Sequence, residues 1–369
     1  MYQIEAPTGK TLNDYYKDYH QCIIDGVDYF LAGNTVPLEL GDNKQVKLDV
    51  GVEAGSPSDA FLKMLKKPAR LRHLMTCRPD DLPAIIGYVK NMFTPYTEVL
   101  ATNKLTLPVY NKFYGGMKRI DHFFTIMHNI FVERVFDGKD INNNPVFDKL
   151  KFNQCVDLTI CPYCGAEDIS VRNVVRKNVT HHAKADVDHF LPKSKYPYLA
   201  MSFSNLIPCS EVCNRQLKRT MDPLVDLSPV RYRLQNPYCF DFNSVEFSYD
   251  FDNTSYHSKD AYQVKVSYPK DAILAEGYNH WLGIDSLYGG KRNLIVDMYK
   301  QMAGISQVYQ NWLVGMGVKS SNVKMAQPSL DLVFGYEYNE ENSRLQPYFK
   351  FKHDIALQLI QDGGCGWPW

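Results

Sequence analysis

The sequence predicts an α+β protein in which a small cysteine-bearing module sits between a mainly helical N-terminal region and an α+β C-terminal region. Three observations carry that prediction. Apolar residues recur at three- and four-residue spacing through residues 1–150, the period of an amphipathic helix. Two close cysteine pairs, Cys161/Cys164 and Cys209/Cys213, bracket the short run Asp186-Val-Asp-His189. After residue 224, β-forming residues alternate twice, at Val245, Phe247, Tyr249 and at Val264, Val266, Tyr268.

In chain order, Ser56-Pro57-Ser58-Asp59 predicts a helix start, with Ser56 as the cap, proline at the first position and an acid in the first turn. Phe61, Met64 and Leu65 then share a face. Asp80 and Asp81 open a second segment through Ile85, Ile86 and Val89. The strongest periodicity, Ile120, Phe124, Met127, Phe131 and Val135, predicts one helix from Met117 to Phe136, with Gly115-Gly116 at its start or a break. Gly138 to Asn144 is polar and turn-rich, a boundary. A strand is expected over Asp157–Ile160, leading into the first cysteine pair. The chain thus divides into residues 1–150, 151–224 and 225–369. In the last region two strands, within 240–251 and 261–268, are joined by a loop holding Asp252-Asn253. Helical patterning follows from Leu294 to Val314, and Trp367 and Trp369 end the chain on a flexible, glycine-rich terminus.

Composition narrows the class. At 369 residues and 45% hydrophobic content there is ample core material. No apolar run approaches the ~18 residues of a membrane span, and the first residues lack a basic and apolar leader. A cytoplasmic protein with no membrane partner is expected. The formal net charge is zero, whereas a dedicated DNA binder is usually basic. The charge is uneven, however: Lys151 to Leu224 carries ten lysines and arginines against seven acids, a local +3.

Of nine cysteines, four form the two close pairs; Cys22, Cys77, Cys155, Cys239 and Cys365 are scattered. Close pairs in an intracellular chain are metal ligands more often than disulfide partners. Two such knuckles bring four thiolates to one Zn²⁺ at about 2.3 Å and leave no open position, so the role is structural. Pro162 and Gly165 favour the tight turn. Cys213 is expected in the first turn of a helix capped by Ser210.

Between the pairs lies a second kind of donor. Asp188 offers a carboxylate and Asn214 an amide oxygen, both hard ligands suited to Mg²⁺ or Mn²⁺. His189 is a base near neutral pH, able to take a proton from water attacking phosphorus. Asn214 and Lys218 are four apart on one helix face, so Lys218 is expected to reach a phosphate. Lys193 and Lys195 are expected along the substrate path. Asp186 and the His181-His182 pair precede the motif, either as metal or phosphate contacts or as part of a solvated, DNA-facing basic hairpin. His128, on an apolar helix face, reads as core.

The joint order of these residues resembles the HNH endonuclease superfamily, the ββα-metal fold, in its four-cysteine, zinc-stabilised form. The residues that carry the likeness are Cys161/Cys164, Asp188-His189-Phe-Leu-Pro192, Asn205, Cys209/Cys213-Asn214 and Lys218; only the three-residue gap in the second pair departs from the pattern. The window is also similar to the HNH domain of RNA-guided CRISPR nucleases. The resemblance implies His189 as general base, Asp188 and Asn214 on the metal, and Asn205 pinning the histidine-bearing loop through backbone hydrogen bonds. It implies an enzyme cleaving phosphodiester bonds in DNA. The layout, one such module between two unfamiliar flanks, is similar to bacterial anti-phage effectors, some of which act beside an ATPase. Two alternatives stand beside it: an RNA endonuclease, acting for example on tRNA, with the same site, and a zinc-stabilised nucleic-acid-binding module without catalysis.

Overall fold

The structure, a computed structural model, describes residues 3–93, 104–176, 179–183, 185–224, 233–252, 255–269, 272–315 and 346–363. Trp367 and Trp369 lie outside them, as do the side chains of residues 172–184.

The N-terminal region is helical with one small sheet. Helix α1 (Gly9–Leu31) starts where the Thr8 hydroxyl accepts from the Thr11 N–H. It buries the stripe Tyr15, Tyr19, Ile23, Val27 and Phe30. Strands β1 (Thr35–Leu40) and β2 (Val46–Gly51) form an antiparallel hairpin. Helix α2 (Pro57–Leu65) begins as its sequence predicts, with the Ser56 hydroxyl accepting from the Asp59 N–H at 3.1 Å. Helices α3 (Pro68–Thr76), α4 (Leu82–Phe93) and α5 (Leu107–Phe113) follow.

The single helix expected from Met117 to Phe136 is broken into three pieces. Strand β3 (Arg119–Ile120) joins β2 in parallel. Asp121 is buried and accepts from Ser56 Oγ, Ser58 Oγ and the Glu53 N–H, so the backbone there is held by the α2 cap. Helix α6 (Phe123–Met127) then begins with His122 as its cap and runs into a π-helix over His128–Phe136. Gly26 of α1 lies against that π-helix; a Cβ there would meet Ile130 Cγ2 at 3.2 Å.

Helix α7 (Lys149–Val156) ends at Asp157 in the left-handed region. The strand expected over Asp157–Ile160 reduces to one bridge, Ile160 to Asp168, because that left-handed residue turns the chain. Strands β4 (Arg172–Arg176) and β5 (Val179–Ala183) form an antiparallel hairpin. Strands β6 (Asp186–His189) and β7 (Leu206–Cys209) form another, and a second π-helix, Val212–Lys218, closes the unit.

Beyond it, β8 (Glu246–Phe251) pairs with β9 (Tyr262–Ser267). Helices α8 (Ala272–Leu282), α9 (Ile284–Gly289), α10 (Arg292–Gly315) and α11 (Phe349–Gly363) complete the described chain. The α+β class is therefore observed, with small separate sheets. One continuous apolar core runs from α1 through the middle module to α11. Among the described residues no helix is long and apolar enough to cross a membrane.

Both flanks grip the module's backbone. Tyr15 Oη donates to the Met201 carbonyl at 3.0 Å, and Asn236 Nδ2 to the Ser204 carbonyl at 2.9 Å. Tyr288 Oη donates to the Cys164 carbonyl at 2.7 Å. A buried carbonyl left unpaired costs ~1–3 kcal/mol, so these long-range donors hold the module's loops in place.

Candidate active site

Strand β6 sets the site by simple alternation. Successive side chains of a strand alternate, so Asp186 and Asp188 share one side, while His189, at the end of the strand, lines the same cleft as both. The ladder pairs Asp188 with Ile207 and His189 with Leu206. The second π-helix packs against the acidic side. Its start is capped as expected, with Ser210 Oγ accepting from the Cys213 N–H at 3.2 Å.

Asp188 is buried and engaged at both oxygens. Tyr163 Oη donates to Oδ2 at 2.6 Å, and Lys218 Nζ lies 2.9 Å from Oδ2 and 3.2 Å from Oδ1. Lys218 also donates to the His189 carbonyl at 2.9 Å. These bonds correct one expectation: Lys218 is fully buried and bound to the strand, so it does not reach out to a phosphate. Spacing on one helix face placed Lys218 beside Asn214, but the face turns inward at Lys218.

Asp186, two ladder positions further out, is the carboxylate beside Asn214. Asn214 Nδ2 is 3.2 Å from Asp186 Oδ2, and Arg215 grips the same carboxylate twice, at 2.7 and 2.8 Å. The donor set on this side of the strand is thus two carboxylates and one amide.

His189 ends the strand at the same cleft. Its Nε2 is 3.1 Å from the Ala200 carbonyl. A carbonyl only accepts, so Nε2 carries the proton and Nδ1 keeps its lone pair. Burial first, then the Lys193 charge, push the imidazole pKa down to about 3, which keeps the ring neutral at neutral pH. Asn205, fully buried before β7, accepts from the Leu191 N–H at 2.7 Å and donates to the Leu191 and Leu199 carbonyls at 3.2 and 3.0 Å. It therefore ties both ends of the loop that carries Ala200.

Asp186, Asp188, His189, Asn214, Lys193 and Arg219 meet in one cleft of about 500 Å³. Lys193 lies at this cleft, paired with Asp137 at 2.6 Å. Lys195, next but one in the chain, has its ammonium 3.3 Å from the buried Asp222. Arg215, Arg219, Phe136 and Lys149 line the cleft without having been singled out in the sequence. Arg215 and Arg219 had a signal, their place beside Asn214 and Lys218; Phe136 had only its apolar period. A larger cavity, about 690 Å³, lies by β2 and β3, where the Asp59 and Asp121 carboxylates serve helix-cap and loop donors.

The thiols form a separate cluster. The sulfurs of Cys161, Cys164 and Cys213 all lie within 4.8 Å of one another, buried and free of disulfides. Burial alone would raise the Cys161 thiol, but bonds from Cys164 and Cys213 pull it well below its ordinary value. The hydrogen bond with Cys161 in turn pushes Cys164 up to about 12 and raises Cys213. Three buried sulfurs within reach of one another are a donor set that fits Zn²⁺, which displaces thiol protons on binding. Cys209 falls outside the group of three, a departure from the expected symmetric set. It is fully buried on the ladder opposite Asp186, and burial pushes its thiol well above the ordinary value. Tyr163, between Cys161 and Cys164, ties the cluster to Asp188.

Comparison with curated proteins and with solved structures finds no match. The family model for HNH endonuclease matches residues 161–224, which begin at the first thiol and end just beyond the second π-helix. The thiol cluster, the β6–β7 hairpin and the cleft-lining helix all fall inside that segment; over those residues the chain is similar to HNH endonucleases, and the cluster of Cys161, Cys164 and Cys213 fits their four-cysteine zinc type.

Proposed function

We propose that this protein is a metal-dependent endonuclease that hydrolyses phosphodiester bonds in DNA. The observation that best supports the reading is His189: a neutral imidazole at a cleft, its Nε2 spent on the Ala200 carbonyl and Nδ1 left as a base, beside two carboxylates and Asn214. Asp188 and Asn214, with Asp186 alongside, supply the oxygen donors that would hold Mg²⁺ or Mn²⁺. When bound, such an ion neutralises phosphate charge and stabilises the departing 3′ oxygen. His189 Nδ1 takes the proton of the attacking water, and the product carries a 5′-phosphate. Asn205 keeps the loop, and with it the Ala200 carbonyl, in register. Lys193 and Arg219 attract the phosphates entering the cleft. Cys161, Cys164 and Cys213, with Cys209 as the nearby fourth thiol, would hold a structural Zn²⁺.

The test is cleavage of plasmid DNA, single-stranded DNA and total RNA with Mg²⁺, by wild type and H189A. DNA cleavage that H189A abolishes supports the proposal. Cleavage of RNA alone would replace the substrate. Tight nucleic-acid binding without cleavage would make the module a binding unit. The setting of the module between two large flanks further supports a role in anti-phage defence beside a partner such as an ATPase. Plaque counts on cells expressing wild type or H189A test that role.

A further inference from the structure

Part of the cleft comes from outside the matched segment. His128, Phe136, Asp137 and Lys149 all line it, and all precede residue 161. Phe136 packs directly on the proposed base. Its ring centroid lies 4.4 Å from that of His189, at 64° to it.

The imidazole needs such a contact. One hydrogen bond at Nε2 fixes a single point of the ring and leaves its plane free to swivel. A swivel moves Nδ1, the atom proposed to take the proton. The Phe136 ring, packed edge-on, blocks that motion. Phe136 is itself held: it stacks on Phe147 at 4.9 Å and 24°, and the Lys149 and Lys193 ammonium groups lie 4.8 and 4.9 Å from its centroid. It ends a π-helix, a rare form that is frequent at functional sites. The chain then leaves through Gly138, where a Cβ would sit 2.1 Å from the Arg134 carbonyl oxygen, so only glycine permits this exit.

We propose that Phe136 is a positioning residue for His189, so that the N-terminal region completes the active centre of the module. This rests on His189 being the base, and the experiment separates the two. In the full-length protein, F136L, F136M and F136Y are compared with wild type and H189A. The readouts are kcat and KM on the nucleic acid that wild type cleaves, zinc content, melting temperature, and the ¹³C–¹H resonance of His189 Cε1. F136L and F136M are expected to lower kcat about tenfold or more, since small misplacements of a reacting group carry such losses. KM stays within about twofold and zinc content is unchanged. The His189 resonance moves as the ring current is lost, and F136Y, which keeps the ring, recovers most of kcat. F136M guards against a folding defect peculiar to F136L. Wild-type kcat in both ring-less variants, a loss confined to KM, an unmoved His189 resonance, or F136Y as poor as F136L would each overturn the proposal. If H189A cleaves as well as wild type, the base assignment falls instead. The resonance still reports whether Phe136 holds the ring.

Discussion

The chain contains the same dipeptide twice, each time followed by phenylalanine: Asp121-His122 and Asp188-His189. Both pairs are buried and both aspartates border a cavity. Their uses differ. Asp121 accepts from Ser56, Ser58 and the Glu53 N–H, and His122 Nδ1 accepts from the Thr125 N–H at 3.3 Å, so both residues are consumed in capping helices. Asp188 is bound by Tyr163 and Lys218, while His189 commits Nε2 alone. An Asp-His pair becomes a candidate for catalysis when one imidazole nitrogen keeps its lone pair at a cleft. The dipeptide alone does not decide it.

The sharpest break of that comparison is a pair of alanine variants. H189A is expected to lower cleavage by about 10²–10⁴-fold, the usual worth of a general base. H122A should leave kcat unchanged and lower stability by about 1 kcal/mol, the cost of a helix cap. Equal losses of activity would erase the distinction between the two pairs.

Next come the two aspartates' cations. K218M leaves Asp188 buried against Tyr163 without its ammonium, and breaking such a pair costs about 3–5 kcal/mol. R215M removes an exposed partner of Asp186 and should cost about 1 kcal/mol or less. Urea melts of both variants check the order; a milder K218M would mean that Asp188 is not locked by Lys218.

The thiol cluster should respond as a unit. C164A and C213A are expected to lose bound zinc by elemental analysis and to melt several degrees lower. Because Tyr163 links the knuckle to Asp188, chelation of zinc should also reduce cleavage before the module unfolds. Y163F, which keeps the thiols, is expected to retain zinc but lose about 1–3 kcal/mol with its hydrogen bond to the buried carboxylate.

The smallest effect is in pH. The unfolded chain's histidine protonates near pH ~6.5, whereas folded His189 resists protonation down to about 3. Below the unfolded value, the unfolded state therefore binds a proton that the folded state does not. Stability is flat above that value and falls as pH drops from it toward 3. H189Q should flatten this acid limb. An unchanged difference in melting temperature between pH 7 and pH 5 would show that other groups set it.

Much of the site was legible because its signals are local. Ser56 and Ser210 cap helices through atoms three residues away, and the alternation of Asp186-Val-Asp-His189 follows from the pleat of a strand. The N-terminal hairpin and the break at Asp121 were not legible. A six-residue strand with one fully buried side chain, as in β1, carries almost no period, and the break at Asp121 depends on donors more than sixty residues away. Lys218 misled for a related reason: helix spacing says which residues share a face, and nothing about whether that face looks inward.

Sequence alone thus determined which chemical groups this protein brings together: paired thiols, two acids, an imidazole and an amide in a fixed order. Those follow from spacing within one strand, one knuckle and one helix. Only the tertiary structure decided their pairing. It set Asp186 against Asn214 and Asp188 against Lys218, left Cys209 outside the group of three thiols, and brought Phe136 onto His189. Such contacts join side chains some thirty or more residues apart, and burial, which no local pattern records, chose among the partners available.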